Sequence, residues 1–335
     1  MLEAEAEAAY ESLIGEATLV TPNADEAEVL ADVAVTDTES AREAGEAILE
    51  MGARAALIKG GHVPGEEVID VLVTGETVET MRHPRIETEA THGSGCTLSS
   101  AIATRLAYGD DLAVAVRTGV DLLARAVRYN VDVGEGPGAV HHMVAVRDRA
   151  QRHPTAERVS EVVRQFVTRD VSALVPEVGM NVVGATPYAE VPTECAAVEG
   201  RINRTLDGVA PTRGVRFGAS SQVARFLLAA REFDANLQFA VNCRFDDDVE
   251  RALETLDWPV AEYDRDAEPE SVTAQEGTTM QWGARQAFEG GEETPVAVVD
   301  RGAVGKEAVV TLLAADSATL ADRTVTLLNA LPGDE

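Results

Sequence analysis

The apolar residues of the first 150 positions follow two alternating periods, one typical of strands and one typical of helices. Ala55–Ile58 is an apolar run that predicts a buried strand, and Val68–Val73 and Thr77–Met81 predict two strands joined by a turn. Thr18–Val20 predicts a further short strand. Helices are predicted over 1–15, Ala24–Leu30, Thr38–Met51, Leu112–Tyr129 and from the Gly93–Gly95 turn to Ala107. Strands that alternate with helices indicate an α/β fold.

The second half shows the same mixture after a polar stretch, Arg147–Thr155, which predicts a domain boundary. A helix over Ala156–Val167 opens this half. Strands are predicted over Gly214–Phe217, Leu237–Asn242, Val296–Val299 and Ala308–Leu313, and helices over Ser220–Phe233, Asp246–Leu256 and Ser317–Leu328. The 335 residues fit two domains, since a domain takes about 150 residues. We expect an α/β domain over 1–150 and a second α/β or α+β domain over 155–335.

Acidic residues dominate the charged positions. Asp and Glu total 58 against 28 Lys and Arg, the formal net charge is −30, and Lys59 and Lys306 are the two lysines. Such a surface repels nucleic acid and fits adaptation to very high salt, where screening weakens self-repulsion. No apolar run reaches the roughly 18 residues of a membrane span, and residues 1–16 do not resemble a signal peptide. We expect a cytoplasmic protein without nucleic-acid or membrane partners; a homo-oligomer is left open.

A glycine-rich turn precedes one of the predicted helices. In the stretch Thr91–Thr97, Gly93, Ser94 and Gly95 let backbone N–H groups converge on an anion at a helix N-terminus. Cys96 falls in the first helical turn, where a thiolate is favoured, and could take a proton from a substrate hydroxyl. The alternative is a glycine turn beside an inert cysteine. The three cysteines are too far apart in sequence to predict a disulfide framework or a zinc site.

Two other stretches carry polar residues to the ends of predicted strands. Lys59 and two glycines follow the strand Ala55–Ile58, where ligand sites of α/β proteins form. Asn23 and Glu26 follow Thr18–Val20 at a helix start. Taken singly, Asn23 is more often an N-cap and Lys59 a surface charge.

Together, these stretches resemble the ribokinase-like family, specifically the hydroxymethylpyrimidine and hydroxymethylpyrimidine-phosphate kinases (ThiD-like). The resemblance rests on Thr21–Glu26, Lys59–His62 and Thr91–Thr97, in that order. It implies the C-terminal part of a ribokinase-like α/β sandwich that uses ATP and Mg²⁺. It also implies that Cys96 is the catalytic base and that Gly93, Ser94 and Gly95 form the anion hole. Asn23 and Glu26 would organise Mg²⁺ through its waters, and Lys59 would lie near the phosphates.

The resemblance begins about a hundred residues into the family pattern. In that pattern, the preceding residues carry the first strands and most of the pyrimidine pocket. We therefore expect the 335-residue chain to phosphorylate hydroxymethylpyrimidine poorly, because positioning of the substrate supplies much of the rate.

Residues 177–316 resemble the archaeal thiamine-phosphate synthase domain (ThiN-like). The resemblance rests on Pro176–Asn181, Val198–Ile202, Phe217–Arg225, Thr278–Gly283 and Asp300–Glu307. Ser220 and Ser221 open a helix with two hydroxyls, which suits a phosphate. Asp300, Arg301 and Lys306 lie in a glycine loop whose two cations suit an anionic group. The alternatives are a helix cap and a surface turn.

In catalytic domains of this kind, an arginine like Arg201 is paired with a histidine at the position of Gln222. Glutamine cannot exchange a proton at neutral pH, and residues 155–335 contain no histidine. We expect one anion-binding pocket formed by Arg201, Ser220, Ser221, Gln222, Arg301 and Lys306. Two interpretations stay open: a bifunctional enzyme that makes thiamine phosphate from hydroxymethylpyrimidine diphosphate and thiazole phosphate, or a non-catalytic thiamine-phosphate sensor.

Overall fold

The computed structural model describes residues 12–131, 133–269, 272, 278–289, 291 and 293–332. Backbone contacts divide the chain into unit 1, Met1–Ala145, and unit 2, Val146–Glu335. Both units mix helices and strands, which confirms the predicted α/β class. Most of the predicted helix over 1–15 lies outside the described residues. Within the described part of the chain, no helix is both long and apolar enough to cross a membrane.

Unit 1 is built on a three-stranded antiparallel sheet. Its strands are β1 (Ala55–Ile58), β2 (Glu67–Thr74) and β3 (Val78–Pro84), in the order β1-β2-β3. All four residues of β1 are buried, as their apolar run predicts. The predicted strand at Thr18–Val20 is reduced to one parallel bridge between Val20 and Ala56, on the side of β1 away from β2.

Four helices cover the two faces of this sheet: α1 (Ala24–Ala31), α2 (Thr38–Glu50), α3 (Ser94–Ala107) and α4 (Leu112–Arg128). Successive strand side chains point to opposite faces, so β1 contributes to both layers. Ile58 packs in the cluster that includes α1 and α2, and Leu57 packs in the cluster that includes α3 and α4. The helix predictions are correct to within two residues at each end of these four elements.

The polar stretch predicted to mark the domain boundary is helical. Residues 147–155 lie inside one helix, α5 (Val144–Arg169), which continues through Pro154. A polar stretch can be the solvated face of a helix as well as a loop, and polarity alone does not separate the two. The division between the units falls at Ala145 and Val146 instead of in that stretch.

Unit 2 contains a seven-stranded sheet with the order β10-β11-β12-β9-β4-β5-β8, and a separate hairpin of β6 and β7. The strands are β4 (Val182–Ala185), β5 (Cys195–Val198), β6 (Ile202–Thr205), β7 (Gly208–Pro211), β8 (Val215–Phe217), β9 (Phe239–Arg244), β10 (Val260–Tyr263), β11 (Ala297–Asp300) and β12 (Val309–Ala314). In the seven-stranded sheet, neighbours run antiparallel except for β10 and β11. Sequence analysis did not predict β4 to β7 or β10.

Helices cover both faces of the seven-stranded sheet. They are α5, α6 (Gln222–Ala230), α7 (Asp247–Leu256), α8 (Thr279–Phe288) and α9 (Ser317–Ala330). Buried residues of α5, α7 and α9 form one core cluster, and those of α6 and α8 form the other. The α8 helix was not predicted.

We expect thermal stability to rise with salt because the formal net charge is −30 and exposed carboxylates repel one another. Between 0.05 and 0.5 M KCl, the unfolding midpoint should rise by about 5 °C, equivalent to roughly 2 kcal/mol for a domain of this size. Differential scanning calorimetry of the full chain measures this change. A midpoint that is constant or falls with KCl would contradict salt adaptation.

Candidate functional sites

The first site in unit 1 forms where two chain segments run parallel. Leu57 donates its backbone N–H to Val20, Lys59 donates to Pro22 with an N–O distance of 2.9 Å, and a parallel bridge joins Asn23 to Lys59. This pairing brings the start of α1 beside the residue that follows β1. It therefore assembles Asn23 and Lys59, which are 36 positions apart in sequence, at one end of the sheet.

Asn23 and Glu26 cap α1 reciprocally. The Asn23 side chain accepts the Glu26 N–H at 2.8 Å, and Glu26 Oε2 accepts the Asn23 N–H at 2.7 Å. This capping box confirms the N-cap interpretation of Asn23. Glu26 Oε2 also lies 3.9 Å from Lys59 Nζ, so a carboxylate and an ammonium group share the site.

Lys59 reaches the glycine-rich turn. Its side chain is 18% exposed, and a Cβ placed on Gly95 would lie 3.3 Å from Lys59 Nζ. Gly93 is the N-cap of α3, has a φ of +81° and provides no capping side chain. The first N–H groups of a helix have no acceptor within the helix, so this turn offers donors beside the ammonium group of Lys59.

A cavity of about 350 Å³ connects these groups. Five of the sequence-predicted residues line it, namely Asn23, Glu26, Lys59, Ser94 and Gly95. Cys96 is exposed and lines a second cavity of about 470 Å³, together with Gly93, Arg105 and His142. The two cavities thus share the glycine turn, with Lys59 lining one and Cys96 the other.

Two residues that hold the turn after Lys59 were missed by sequence reasoning. Asp70 is 4% exposed, and its Oδ1 accepts the N–H of Gly60 at 2.9 Å. A Cβ on Gly60 would lie 2.2 Å from the Ile69 oxygen, so the backbone can pass there only as glycine. An aspartate inside the apolar run Val68–Val73 was the available signal, since a carboxylate is rarely buried without a partner.

Arg85 holds the rest of that loop. Its Nε donates to the Gly65 oxygen at 2.7 Å and its Nη1 to the Gly61 oxygen at 2.8 Å, while Nη2 donates to the Val63 oxygen. Its backbone N–H also donates to the Glu66 oxygen at 2.9 Å. One planar guanidinium therefore fixes three carbonyl groups across the loop between β1 and β2.

His83 lies beside Asp70 and also lines the cavity that contains Lys59. Its Nε2 is 3.9 Å from Asp70 Oδ2. Interaction with this buried carboxylate raises the pKa of His83 above its usual value, against the opposing effect of burial. The site therefore has two further titratable groups that the sequence motifs did not identify.

In unit 2, loops gather at the end of the sheet where β11 ends at Asp300 and β12 begins, which we name the Asp300 end. The Glu307 carboxylate accepts the N–H groups of Glu177 and Val178 at 2.7 and 3.0 Å. Arg201 lies on the neighbouring loop, since a Cβ on Gly179 would be 2.9 Å from Arg201 Cβ. These contacts join three of the sequence motifs in one region.

Two buried asparagines brace the Asp300 end from below. Asn242 Oδ1 accepts the Asn181 N–H at 2.8 Å, and Asn242 Nδ2 donates to the Gly179 oxygen at 3.1 Å. Asn181 in turn exchanges two hydrogen bonds with the Val198 backbone. The amide groups therefore fix the loop that carries Gly179, next to Arg201.

Asp300 is a structural residue of its loop. It is 2% exposed, and its carboxylate accepts from Arg265 Nε at 2.7 Å, Tyr263 Oη at 2.7 Å and the Gly302 N–H at 2.9 Å. Burial and this carboxylate raise the pKa of Tyr263. Both Asp300 oxygens are thus engaged, so the carboxylate holds the loop in place.

The two predicted cations of that loop differ. Arg301 donates to Glu262 at 2.6 Å and to Glu250 at 2.7 Å, and these carboxylates raise its pKa. Lys306 is exposed and lies in a turn closed by hydrogen bonds with the Ala303 backbone. Two carboxylates thus oppose the charge of Arg301. Lys306, in contrast, is exposed and makes no ion pair with a described carboxylate.

Ser220, Ser221 and Gln222 follow the opposite end of the strands. β8 ends at Phe217 beside Ala196, and Gly218 donates its N–H to the Cys195 oxygen. Cys195 is the first residue of β5, whereas Arg201 follows the last. Among the hydrogen bonds and ion pairs of the described residues, none joins Ser220–Gln222 to Arg201, Arg301 or Lys306. The strand directions thus place Ser220–Gln222 and Arg201 at opposite ends of the sheet, which contradicts the single predicted pocket.

Unit 1 is an α/β domain in which Lys59 lies beside a glycine turn at a helix N-terminus. Residues 1–141 match the family model of phosphomethylpyrimidine kinase, and residues 158–326 match that of thiamine-phosphate synthase ThiN. The chain belongs to the thiamine-phosphate synthase ThiN family, and a phosphomethylpyrimidine kinase domain precedes its ThiN domain.

Three curated relatives match one or both parts of the chain. A thiamine-phosphate synthase ThiN of Methanothermobacter thermautotrophicus is 34% identical over 49% of this chain and 88% of its own length. A hydroxymethylpyrimidine/phosphomethylpyrimidine kinase of Streptomyces coelicolor is 43% identical over 39% of this chain and 48% of its own. A bifunctional thiamine biosynthesis protein ThiDN of Methanocaldococcus jannaschii is 27% identical over 74% of this chain and 57% of its own. The chain spans about half the length of the latter two.

We expect Arg85→Gln to free the loop between β1 and β2, because it removes the donors to three carbonyl groups. Backbone amides of residues 61–66 should exchange with deuterium at least about tenfold faster, measured by mass spectrometry. Arg82→Gln on β3, just before Arg85, is the control, since Arg82 makes one exposed ion pair at 3.5 Å. Equal exchange in the two variants would show that Arg85 does not order the loop.

Proposed function

We propose that unit 1 transfers the γ-phosphoryl group of ATP to the hydroxymethyl oxygen of hydroxymethylpyrimidine or its phosphate. The observation that carries this proposal is the ammonium group of Lys59 against the backbone of Gly95, at the start of α3. The kinase family match and the name of the Streptomyces coelicolor relative support the substrate class. The chain spans about half the length of that kinase.

The chain's own groups suit phosphoryl transfer. Positioning and charge stabilisation supply most of the rate in this reaction. The N–H groups around Gly95 would bind the moving phosphoryl group, and Lys59 would offset the charge on the phosphates. Asp70 and Arg85 hold the loop that follows Lys59, so they would keep its ammonium group in register with the turn.

The residues present fit a magnesium ion held with its nucleotide. Mg²⁺ usually binds one or two carboxylates and keeps several waters along with the phosphates. Glu26 is exposed and lines the Lys59 cavity, so it can hold such an ion through a water. Within the described residues, no group of three or more acidic, histidine or cysteine side chains could hold a metal ion by itself. The bound ion would supply charge neutralisation of the phosphates.

Cys96 is the proposed base for the hydroxymethyl proton. It is exposed in the first turn of α3, next to the glycine turn. A helix N-terminus favours the thiolate form, which accepts protons. The other two cysteines do not fit this role, since burial raises the pKa of Cys195 and of Cys243 to about 12.

In a longer chain that also carries the N-terminal part of the kinase pattern, we expect Cys96→Ala to lower kcat for hydroxymethylpyrimidine phosphorylation by about 10²–10⁴-fold, with little change in the KM for ATP. The measurement is ADP formation that depends on the pyrimidine, in molar KCl. Ser100→Ala is the control, because Ser100 lines the same cavity one turn further along α3. If Cys96→Ala retained wild-type turnover, the cysteine would be a packing residue.

We also propose that unit 2 binds thiamine phosphate at the Asp300 end and forms it slowly. Arg201 and Lys306 supply positive charge to an anionic ligand there, whereas the charge of Arg301 is opposed by Glu250 and Glu262. Gln222, the position at which catalytic relatives of this fold are expected to carry a histidine, lies at the opposite end of the strands and supplies no proton transfer at the Asp300 end. The ThiN family match supports the ligand class.

We expect the full chain to bind thiamine phosphate with a micromolar Kd, about −8 kcal/mol, and to make almost none from the two precursors. Lys306→Ala should weaken binding, whereas Gln222→His should leave binding unchanged because residue 222 lies at the opposite end of the strands. Calorimetry and a product assay at high salt measure these effects. Arg251→Ala is the control, since this exposed arginine pairs with Asp248. Fast wild-type synthesis would show that the histidine is dispensable, and an absence of binding would refute the ligand assignment.

A further inference from the structure

A short segment, Ala139–His142, lies against the glycine turn of unit 1. Ala139 forms a parallel bridge with His92, and Val140 donates its N–H to the His92 oxygen at 3.4 Å. His141 donates its backbone N–H to the Ala126 oxygen at 2.8 Å, which ties the segment to α4. The backbone that carries His142 is therefore fixed on two sides.

Gly138 allows the segment to approach so closely. Its φ is +78°, and a Cβ there would lie 2.9 Å from Ala90 Cβ. Any other residue would be strained in this conformation and would also collide with Ala90, which precedes the glycine turn. The close approach is thus specified by the sequence immediately before the two histidines.

This arrangement brings the His142 ring to the start of α3. His142 Nε2 lies 3.7 Å from the position that a Cβ on Gly93 would take. Gly93 is the N-cap and Cys96 is the third helical residue. An N-cap side chain normally reaches the N–H of the second or third residue from that place. The His142 ring therefore lies beside the first turn of α3, which contains Cys96.

The cavity supports the same pairing. His142 and Cys96 both line the cavity of about 470 Å³, and both are exposed to it and to solvent. Arg105, the other charged residue that lines this cavity, donates from Nε to Asp110 at 2.6 Å. Lys59 lies on the other face of the turn, near Glu26. Among the described residues, no hydrogen bond or ion pair of the His142 ring competes with Cys96.

We propose that His142 is a positioning residue for Cys96, holding it as a thiolate beside an imidazolium. The inference rests on the proposed kinase function. The Cys96 thiol gives its proton to His142 Nε2. The thiolate then takes the hydroxymethyl proton while that oxygen bonds to the γ-phosphorus. The bond from the γ-phosphorus to the β,γ-bridging oxygen breaks, and its electron pair leaves with ADP. His142 finally releases its proton to water.

The direct test is the rate at which iodoacetamide alkylates Cys96 in the full chain between pH 5 and pH 9, followed by mass spectrometry. Only a thiolate reacts, so the rate measures the thiolate fraction. At pH 7, His142→Gln should react about tenfold more slowly than wild type. Cys195 and Cys243 serve as internal references, because both are buried and their thiols have a raised pKa of about 12.

Two variants control the test. His153→Gln removes an exposed histidine on α5 that is 3.4 Å from Glu157, and it should leave the rate unchanged. His142→Lys keeps a cation and should retain fast alkylation at pH 7, which a purely structural role would not predict. Alkylation of Cys195 or Cys243 would reveal unfolding of unit 2, and circular dichroism checks the whole chain.

Equal rates and pH profiles for wild type and His142→Gln would overturn the pairing. If a His142 variant fails to fold, the ring resonances of His142 are followed by NMR in Cys96→Ala. Removal of the sulfur should then shift these resonances, and resonances unchanged from wild type would overturn the pairing. Alkylation needs no kinase activity. A His142-dependent rate together with full turnover of Cys96→Ala would therefore keep the pair and refute the base.

Discussion

The parallel pairing of residues 20–23 with β1 is the contact on which the phosphate end of unit 1 depends. It delivers Asn23 and its helix beside Lys59, and Asp70 then fixes the following turn by accepting the Gly60 N–H. Only a short side of the sheet is involved, so a few backbone hydrogen bonds decide where the ammonium group of Lys59 stands. The glycine turn completes the arrangement because Gly95 has no side chain to displace that group.

Sequence analysis predicted the elements whose apolar residues form an uninterrupted run or a clear helical period. It gave β1 without error and the four helices of unit 1 within two residues, and the capping box of Asn23 and Glu26 is visible as a sequence motif. It missed Arg85, because a single arginine just after a strand does not reveal that its guanidinium spans a loop 20 residues earlier. It also read a polar helical face as a boundary, since solvated helices and loops share the same composition.

The motifs of unit 2 were harder to place. Each motif was recognisable. Arg201 follows β5 and Ser220 follows β8, and because these strands are antiparallel the two motifs lie at opposite ends of the sheet. Arg201 and Glu307 come together at the Asp300 end, whereas Ser220–Gln222 begin from the other end of the strands. Strand direction depends on pairing between distant segments, and β4, β5 and β10 were themselves not predicted. The position of a motif could not be inferred without them.

In a chain with a net charge of −30, carboxylates neutralise many of the cations, as Arg301 between Glu250 and Glu262 shows. A cation that binds an anionic ligand must escape that pairing. Lys59 does so in part: Glu26 stands 3.9 Å away, longer than the 2.6 and 2.7 Å bonds of Arg301, and Gly95 places no side chain beside its ammonium group. The same logic applies to Cys96, whose surroundings within the described residues contain His142 and a paired arginine but no lining carboxylate. Charge available to a ligand, more than total charge, distinguishes these sites from the rest of an acidic surface.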